Sequence, residues 1–398
     1  MPLISITDML QHARHNEYAV AVFEVGSPEV VKGVLQAAEQ IRAPVVLGIN
    51  TAATNGDDPS LLLPVIEQAA QEASIPVAVQ AQKVSDYESL IAAINGGCNA
   101  VMLDCRTRHD MENLQLCRDL TVTAHRCGVP AEVVLTAKSD MSVLEDYVDV
   151  IGMDFLRVVP VTVYGRREQD MLPDYLKLHE VNRRVHLPLS IQADAGISKE
   201  QCRQMIDDGI ALINFGAVLN EARAAQIHRN VLQAEGRGRG LMCDVVEAVK
   251  TKAITCLELS NSAGRSAAIL AVCEAWLPVE HLIIYNVRGI DAAQADHMMA
   301  EGRKNLSQIP GVRQVVTGRA VKADAKYQYT WLIRFCHRTV IDSYRDNPAH
   351  VAFADNLFRP VAGDRVSIDF EWVTDDPCQN MAIALPENEE LISSVEEH

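Results

Sequence analysis

The sequence is short of positive charge and of any patterned cysteine or histidine. Against 53 Asp and Glu stand only 36 Lys and Arg, a net charge of −17 over 398 residues. Such a balance argues against a nucleic-acid or anionic-membrane surface, because both need clustered cations. None of the ten cysteines forms a C-x-x-C pair, so neither a zinc ribbon nor a thioredoxin-type motif is supported. Most cysteines lie in apolar contexts such as Ile254-Thr255-Cys256-Leu257, where a small buried thiol is the better reading. The twelve histidines show neither H-E-x-x-H nor H-x-H spacing. No run of 18 apolar residues exists, so no transmembrane helix is expected. The opening residues, Met1 to His15, lack a basic stretch followed by an apolar one, so no secretory leader is expected. A cytoplasmic protein is the expectation.

What is present is ordinary for a globular chain: 48% hydrophobic and 22% charged residues. The length predicts two or three domains. Short apolar runs alternate with helical patterns from Ala19 to Phe215. The predicted strands are Ala19–Val25, Pro44–Asn50, Val77–Ala81, Ala100–Leu103, Glu132–Leu135, Phe155–Val159, Leu189–Gln192 and Leu212–Phe215. Amphipathic stretches such as Pro28–Arg42 and Lys199–Asp208 lie between them. Continuous apolar strands separated by helices imply a parallel sheet covered on both faces. Eight such units fit one closed (β/α)8 TIM barrel. A doubly wound open sheet is the runner-up, but no G-x-G-x-x-G follows the first strand.

A second module begins near Pro278. Its predicted order is strand, helix, strand, strand, helix, strand, ending at Trp372, which is the ferredoxin-like α+β unit. The expected division is residues 1–277 for the barrel, 278–374 for the second module and 375–398 for a frayed acidic tail.

Barrel sites gather at the C-terminal ends of the strands. Those ends present Glu24, Asn50, Gln82, Lys83, Asp104, Arg106, Glu132, Arg157, Tyr164, Gln192, Asp194 and Asn214. Arg157 puts a charge into the apolar strand Phe155–Val159, so it needs an acidic partner or a bound anion. Asp104, Glu132 and Asp154 are its candidate partners.

The first 230 or so residues resemble the class II ketose-bisphosphate aldolases. The resemblance runs through Met1-Pro-Leu-Ile-Ser, Ala19-Val-Ala-Val-Phe, Pro44-Val-Val-Leu-Gly, Ala100-Val-Met-Leu-Asp104, Gly152-Met-Asp154, Leu187-Pro188-Leu189 and Gly209 with Ile213-Asn214. In that family three histidines hold a zinc ion that polarises the ketose carbonyl, and an aspartate beside the first of them moves the proton. Here the resemblance puts Gln82 at that aspartate, and Lys83, Tyr164 and Gln192 at the three histidines. Val134 replaces an acidic residue near the metal, while Glu132 remains. At the phosphate end only Gly196, Asn214 and Gly216 survive, and Asp194 sets a negative charge where a phosphate would sit. No zinc and no other cofactor are expected.

Lys83 then has two readings. It is a Schiff-base or cationic group standing in for zinc, or it is the lysine of a drifted site, paired with Asp104 or Glu132. The expected substrate is a small carbonyl or sugar-derived compound. Lys83, Asp104, Glu132 and Tyr164 are the candidate catalytic residues, and Gln82, Arg106, Arg157, Gln192, Asp194 and Asn214 would bind substrate. A catalytically inactive scaffold that binds a metabolite or a partner protein is the alternative.

Residues 281–373 resemble the stress-responsive dimeric α/β-barrel (Dabb) family, through His281, Leu306 with Ile309-Pro310-Gly311-Val312, Gly318, Phe335, and Tyr344 with Pro348-Ala349-His350. Some members use a Tyr and a His, which points to Tyr344 and His350. Ordinary capping and packing is the other reading of that pair. Members pair their sheets, so a homodimer or higher homo-oligomer is expected.

Overall fold

The computed structural model describes residues 3–50, 59–104, 110–136, 141–159, 175–193, 196–216, 218–233 and 240–372. Arg106, Tyr164, Asp194 and the acidic tail lie outside the described residues. Eight parallel strands close a barrel: β2 (Val20–Glu24), β3 (Val45–Asn50), β4 (Val77–Val84), β5 (Ala100–Leu103), β6 (Ala131–Thr136), β7 (Phe155–Val159), β8 (Leu189–Gln192) and β9 (Ile210–Asn214). Each matches a predicted strand to within a few residues. The largest difference is β4, which runs on through Lys83.

A strand of two residues and a helix precede the barrel, and periodicity did not single them out. The strand β1 (Leu3–Ile4) pairs antiparallel with β10 (Ala275–Trp276). The helix α1 (Ile6–His15) is capped by Ser5, whose hydroxyl accepts the Asp8 N–H. Its Ile6, Met9, Leu10 and Ala13 pack with Val20, Val46, Ala78, Phe155 and Leu212 from inside the barrel. They plug the N-terminal end of the barrel with hydrocarbon, which leaves polar chemistry to the other end.

The second module is a four-stranded antiparallel sheet in the order β12 (Val312–Arg319), β13 (Tyr329–Phe335), β11 (Val279–Val287), β14 (Ala362–Glu371). This is the ferredoxin-like order. Trp331 lies edge-on to Phe353 at 5.5 Å and Tyr285 to Phe358 at 5.1 Å, so one sheet face is covered by helical segments of the module. Gly302 permits that close approach: a Cβ there would come within 2.3 Å of the Trp331 ring. The opposite face places Val316, Leu332, Leu282 and Ile368 side by side in register. Ile368, Phe370 and Trp372 on that face are 45%, 48% and 41% exposed.

The two domains are docked by specific groups. Arg313 and Glu67 form a bidentate pair across the junction, each side chain less than one-fifth exposed. The Asn95 side chain grips the turn before β12, donating to the carbonyls of Ser307 (3.3 Å) and Ile309 (3.2 Å) and accepting the Gly311 N–H (2.8 Å). Cys127 and Cys336 meet at the same junction, with Cys336 Sγ 3.6 Å from the Cys127 carbonyl oxygen. The expected buried thiols are found at Cys98, Cys117, Cys127, Cys202, Cys256 and Cys336. Burial pushes the Cys127 thiol up to about 12. Among the described residues no helix is long and apolar enough to cross a membrane.

Candidate active site

Side chains alternate across a strand, so inward residues recur at every second position. On β4 these are Ala78, Gln80 and Gln82, which climb from the apolar plug toward the mouth. On β6, β7, β8 and β9 the polar inward residues are Glu132, Arg157, Ser190 and Asn214. All six polar side chains from Gln80 to Asn214 are buried.

They form one continuous chain of hydrogen bonds. Asn214 Nδ2 donates to Gln82 Oε1 at 3.3 Å, and Gln82 Nε2 to Gln80 Oε1 at 2.6 Å. Gln80 Nε2 then donates to Glu132 Oε2 at 2.6 Å. Arg157 holds Glu132 through Nε at 2.7 Å and Nη2 at 3.3 Å, and the Ser190 hydroxyl donates to Glu132 as well. At the other end Asn214 Oδ1 accepts the Gly216 N–H at 2.7 Å. Gly48 leaves room for this chain, since a Cβ there would lie 3.2 Å from Gln82 Nε2.

Of Arg157's three candidate partners, Glu132 is therefore the one it meets. Asp154 is used elsewhere, by His125 Nε2 at 2.8 Å and the Ala131 N–H at 2.7 Å. Gln80 and Ser190 belong to the network but were not among the candidates. Their only sequence signal was polarity at inward positions of otherwise apolar strands.

At the mouth the picture differs. Lys83 is exposed and adopts φ +59°, in the left-handed region, within β4. The β4–β5 register slips between Ala81 and Val84, so Gln82 and Lys83 form a bulge. A lysine held in this region costs on the order of 1 kcal/mol, and such outliers gather at functional sites. No ion pair of Lys83 occurs among the described residues, so neither Asp104 nor Glu132 is its salt-bridge partner. Asp104 follows β5 on the adjoining strand, half-buried, with its N–H bonded to the Val84 carbonyl. Gln192 ends β8 and is exposed. The mouth thus carries Lys83, Asp104 and Gln192 above a closed polar floor.

The second module holds its own cluster. Tyr344 is buried with its ring 4.4 Å from the His350 ring, and the His281 ring stands 6.2 Å from Tyr344. His281 Nδ1 is 2.6 Å from Asp369 Oδ1, its direct cross-strand partner on β14. Burial lowers the His350 pKa below the ordinary imidazole range and raises that of Tyr344. His350 Nδ1 donates to the Arg345 carbonyl at 3.0 Å. His281 and Asp369 were not among the candidate residues, since their pairing depends on register between strands 88 positions apart.

The family model for class-II fructose-bisphosphate aldolase matches residues 4–265, well over half of the chain. The chain belongs to that family. Following its aldolase barrel, residues 279–372 match the stress responsive A/B barrel domain. The probable fructose-bisphosphate aldolase of Bacillus subtilis is 27% identical over 252 residues, covering 59% of this chain and 88% of that protein. A fructose-bisphosphate aldolase of Staphylococcus aureus is 26% identical over 249 residues, covering 58% and 87%. Among solved structures, the YdjI aldolase from Escherichia coli K12 superposes with a TM-score of 0.59 at 24% identity, covering 66% of this chain and 99% of that one. The fructose-bisphosphate aldolase of Campylobacter jejuni gives 0.55 at 13% identity, with 65% and 94% covered. At these identities the structural likeness concerns the fold, and it agrees with the closed barrel.

Proposed function

We propose that this aldolase-family barrel is a cytoplasmic, metal-independent carbon–carbon lyase, acting beside the carbonyl of a small sugar-derived substrate, with Lys83 as its electrophilic group. The observation that carries the reading is the strained, exposed backbone that presents Lys83 at the mouth beside Asp104. The residues aligned with the family's zinc histidines are Lys83, Tyr164 and Gln192. An ammonium group, a phenol and a neutral amide do not fit a dication that needs anionic or imidazole donors. No step is therefore routed through a metal.

The chemistry open to Lys83 is imine formation. Its neutral amine adds to the substrate carbonyl carbon, and the carbonyl oxygen leaves as water. The resulting iminium accepts the electron pair of the breaking carbon–carbon bond, while Asp104 takes the proton of the neighbouring hydroxyl. Protonation of the enamine and hydrolysis return free lysine and the second product.

Borohydride trapping tests this directly. A panel of small aldehydes and ketones should include compounds that add one reduced adduct per chain, mapped by mass spectrometry to Lys83 and missing from Lys83→Met. Elemental analysis should find no stoichiometric zinc, and added metal should not produce cleavage of fructose or tagatose bisphosphate. An adduct that persists in Lys83→Met, or one tightly held zinc per chain, overturns the reading. The second reading, a non-catalytic scaffold, draws on the floor of the mouth, where the hydrogen-bonded chain leaves Glu132 saturated by donors. A panel that yields no adduct at all favours that scaffold.

For assembly we propose a homodimer in which the open sheet face of the second module packs on its copy. The face aligns Val316, Leu332, Leu282, Ile284, Val366, Ile368 and Phe370, and nothing among the described residues covers it. Contiguous apolar surface of this kind marks an interface. Light scattering should report a dimer for the full chain and a monomer for Leu332→Asp/Phe370→Asp. A dimer that survives this double substitution places the contact elsewhere.

A further inference from the structure

The barrel mouth is not the only concave surface. A cavity of about 330 Å³ opens at the other end, lined by Ser5, Thr7, His125, Gly128, Pro130, Asp154, Glu274, Ala275, Trp276 and His337. Pro130 and Asp154 come just before β6 and β7, so the cavity lies at the N-terminal rim, away from Lys83. Its walls come from the barrel, from β10 and from the second module. We infer that this junction cavity binds a small organic cation, a primary ammonium carried on a short apolar or aromatic body.

The charge of the lining sets the sign of the ligand. No Lys or Arg is among the lining residues, whereas two carboxylates are. Asp154 is held in place by the Ala131 N–H and by His125. Its hydrogen bond to His125 raises the His125 pKa, so that imidazole supplies up to one compensating charge. Among the described residues Glu274 pairs with Arg338, at 3.8 Å, and both side chains are more than half exposed. Such a pair is worth at most about 1 kcal/mol, so an ammonium ion can replace Arg338 at little cost.

The apolar part of the site is equally defined. Trp276 stacks on His337 with ring centroids 4.4 Å apart and planes inclined by 22°. His337 Nδ1 sits 2.8 Å from the Thr339 hydroxyl and 3.3 Å from the Thr339 N–H, which holds the ring in place. Burial and the adjacent Arg338 lower the His337 pKa, and the ring serves as an uncharged wall. The indole can then receive the ligand's body, and its π-system adds attraction for a cation. Glu274 is fixed through its backbone, whose N–H donates to Asp8 Oδ2 at 3.1 Å.

The test uses the full-length protein, with phenethylamine and benzylamine as probes and phenylacetate and benzyl alcohol as their anionic and neutral counterparts. Isothermal titration should show one saturable site for an amine, with neither counterpart binding comparably. Glu274→Gln, an exposed change that the fold tolerates, should weaken the amine roughly tenfold, and Trp276→Phe should weaken it measurably. Lys83→Met should leave it unchanged, which separates this cavity from the barrel mouth. The inference is overturned by phenylacetate binding as tightly as the amines, by the absence of saturable amine binding, or by amine affinity indifferent to Glu274→Gln.

Discussion

Arg157→Met is expected to destabilise the barrel by about 3–5 kcal/mol, because it strands a buried carboxylate without its countercharge. Glu132 has no exposed surface, and its two oxygens are held by Gln80, Ser190 and both donor groups of Arg157. Removing the guanidinium leaves an anion that water cannot reach. The double variant Glu132→Gln/Arg157→Met removes both charges and should recover a large part of the loss. Thermal denaturation followed by circular dichroism is the measurement. At roughly 2–4 °C per kcal/mol for domains of this size, the single variant should melt about 6–20 °C lower. A single variant within a degree of the parent would mean that the pair is not buried as described. The outcome also bears on the proposed function, since a Glu132 locked in this way supports the barrel and leaves the proposed imine step to Lys83 and Asp104.

The second large effect concerns the junction between the domains. Arg313→Met is expected to weaken docking by about 3 kcal/mol, the lower end for breaking a largely buried pair, since both partners keep some contact with water. Glu67 would keep the Gln71 amide, which donates to its Oε1 at 3.1 Å, but lose its countercharge, and the pairing geometry across the junction would be lost. Asn95→Ala should act in the same direction, because three backbone groups of the 307–311 turn lose their bond to the Asn95 amide at once. Hydrogen exchange is the sensitive readout. Amides of 307–312 should exchange faster in both variants, while amides in β2 and β9 keep their protection. Unchanged exchange at 307–312 in both variants would show that the docking rests on other contacts.

The comparison of sequence with structure follows a physical division. Strand and helix order was legible because period-2 and period-3.6 apolar patterns are local, and the eight barrel strands fall where those patterns place them. The ferredoxin-like order of the second module was legible for the same reason. The β1–β10 pairing was not, since two strands of two residues each carry no periodicity. The bulge at Lys83 was also hidden, because a lysine in the left-handed region has no signature of its own.

The candidate site divides in the same way. The need of Arg157 for a partner could be read from one charge in an apolar strand. Which of three acids would meet it depended on barrel closure, which brings the inward faces of β6 and β7 into contact and turns Asp154 toward His125. Tyr344 and His350 are six positions apart, and one helical segment suffices to bring their rings together. His281 and Asp369 needed the sheet register, and Trp276 and His337 met only when the second module docked on the barrel. Sequence by itself determined which side chains are apolar, charged or turn-forming, and hence the elements and their order. Tertiary structure alone decided the pairings, because contact between distant residues is set by closure, register and docking, which no local pattern encodes.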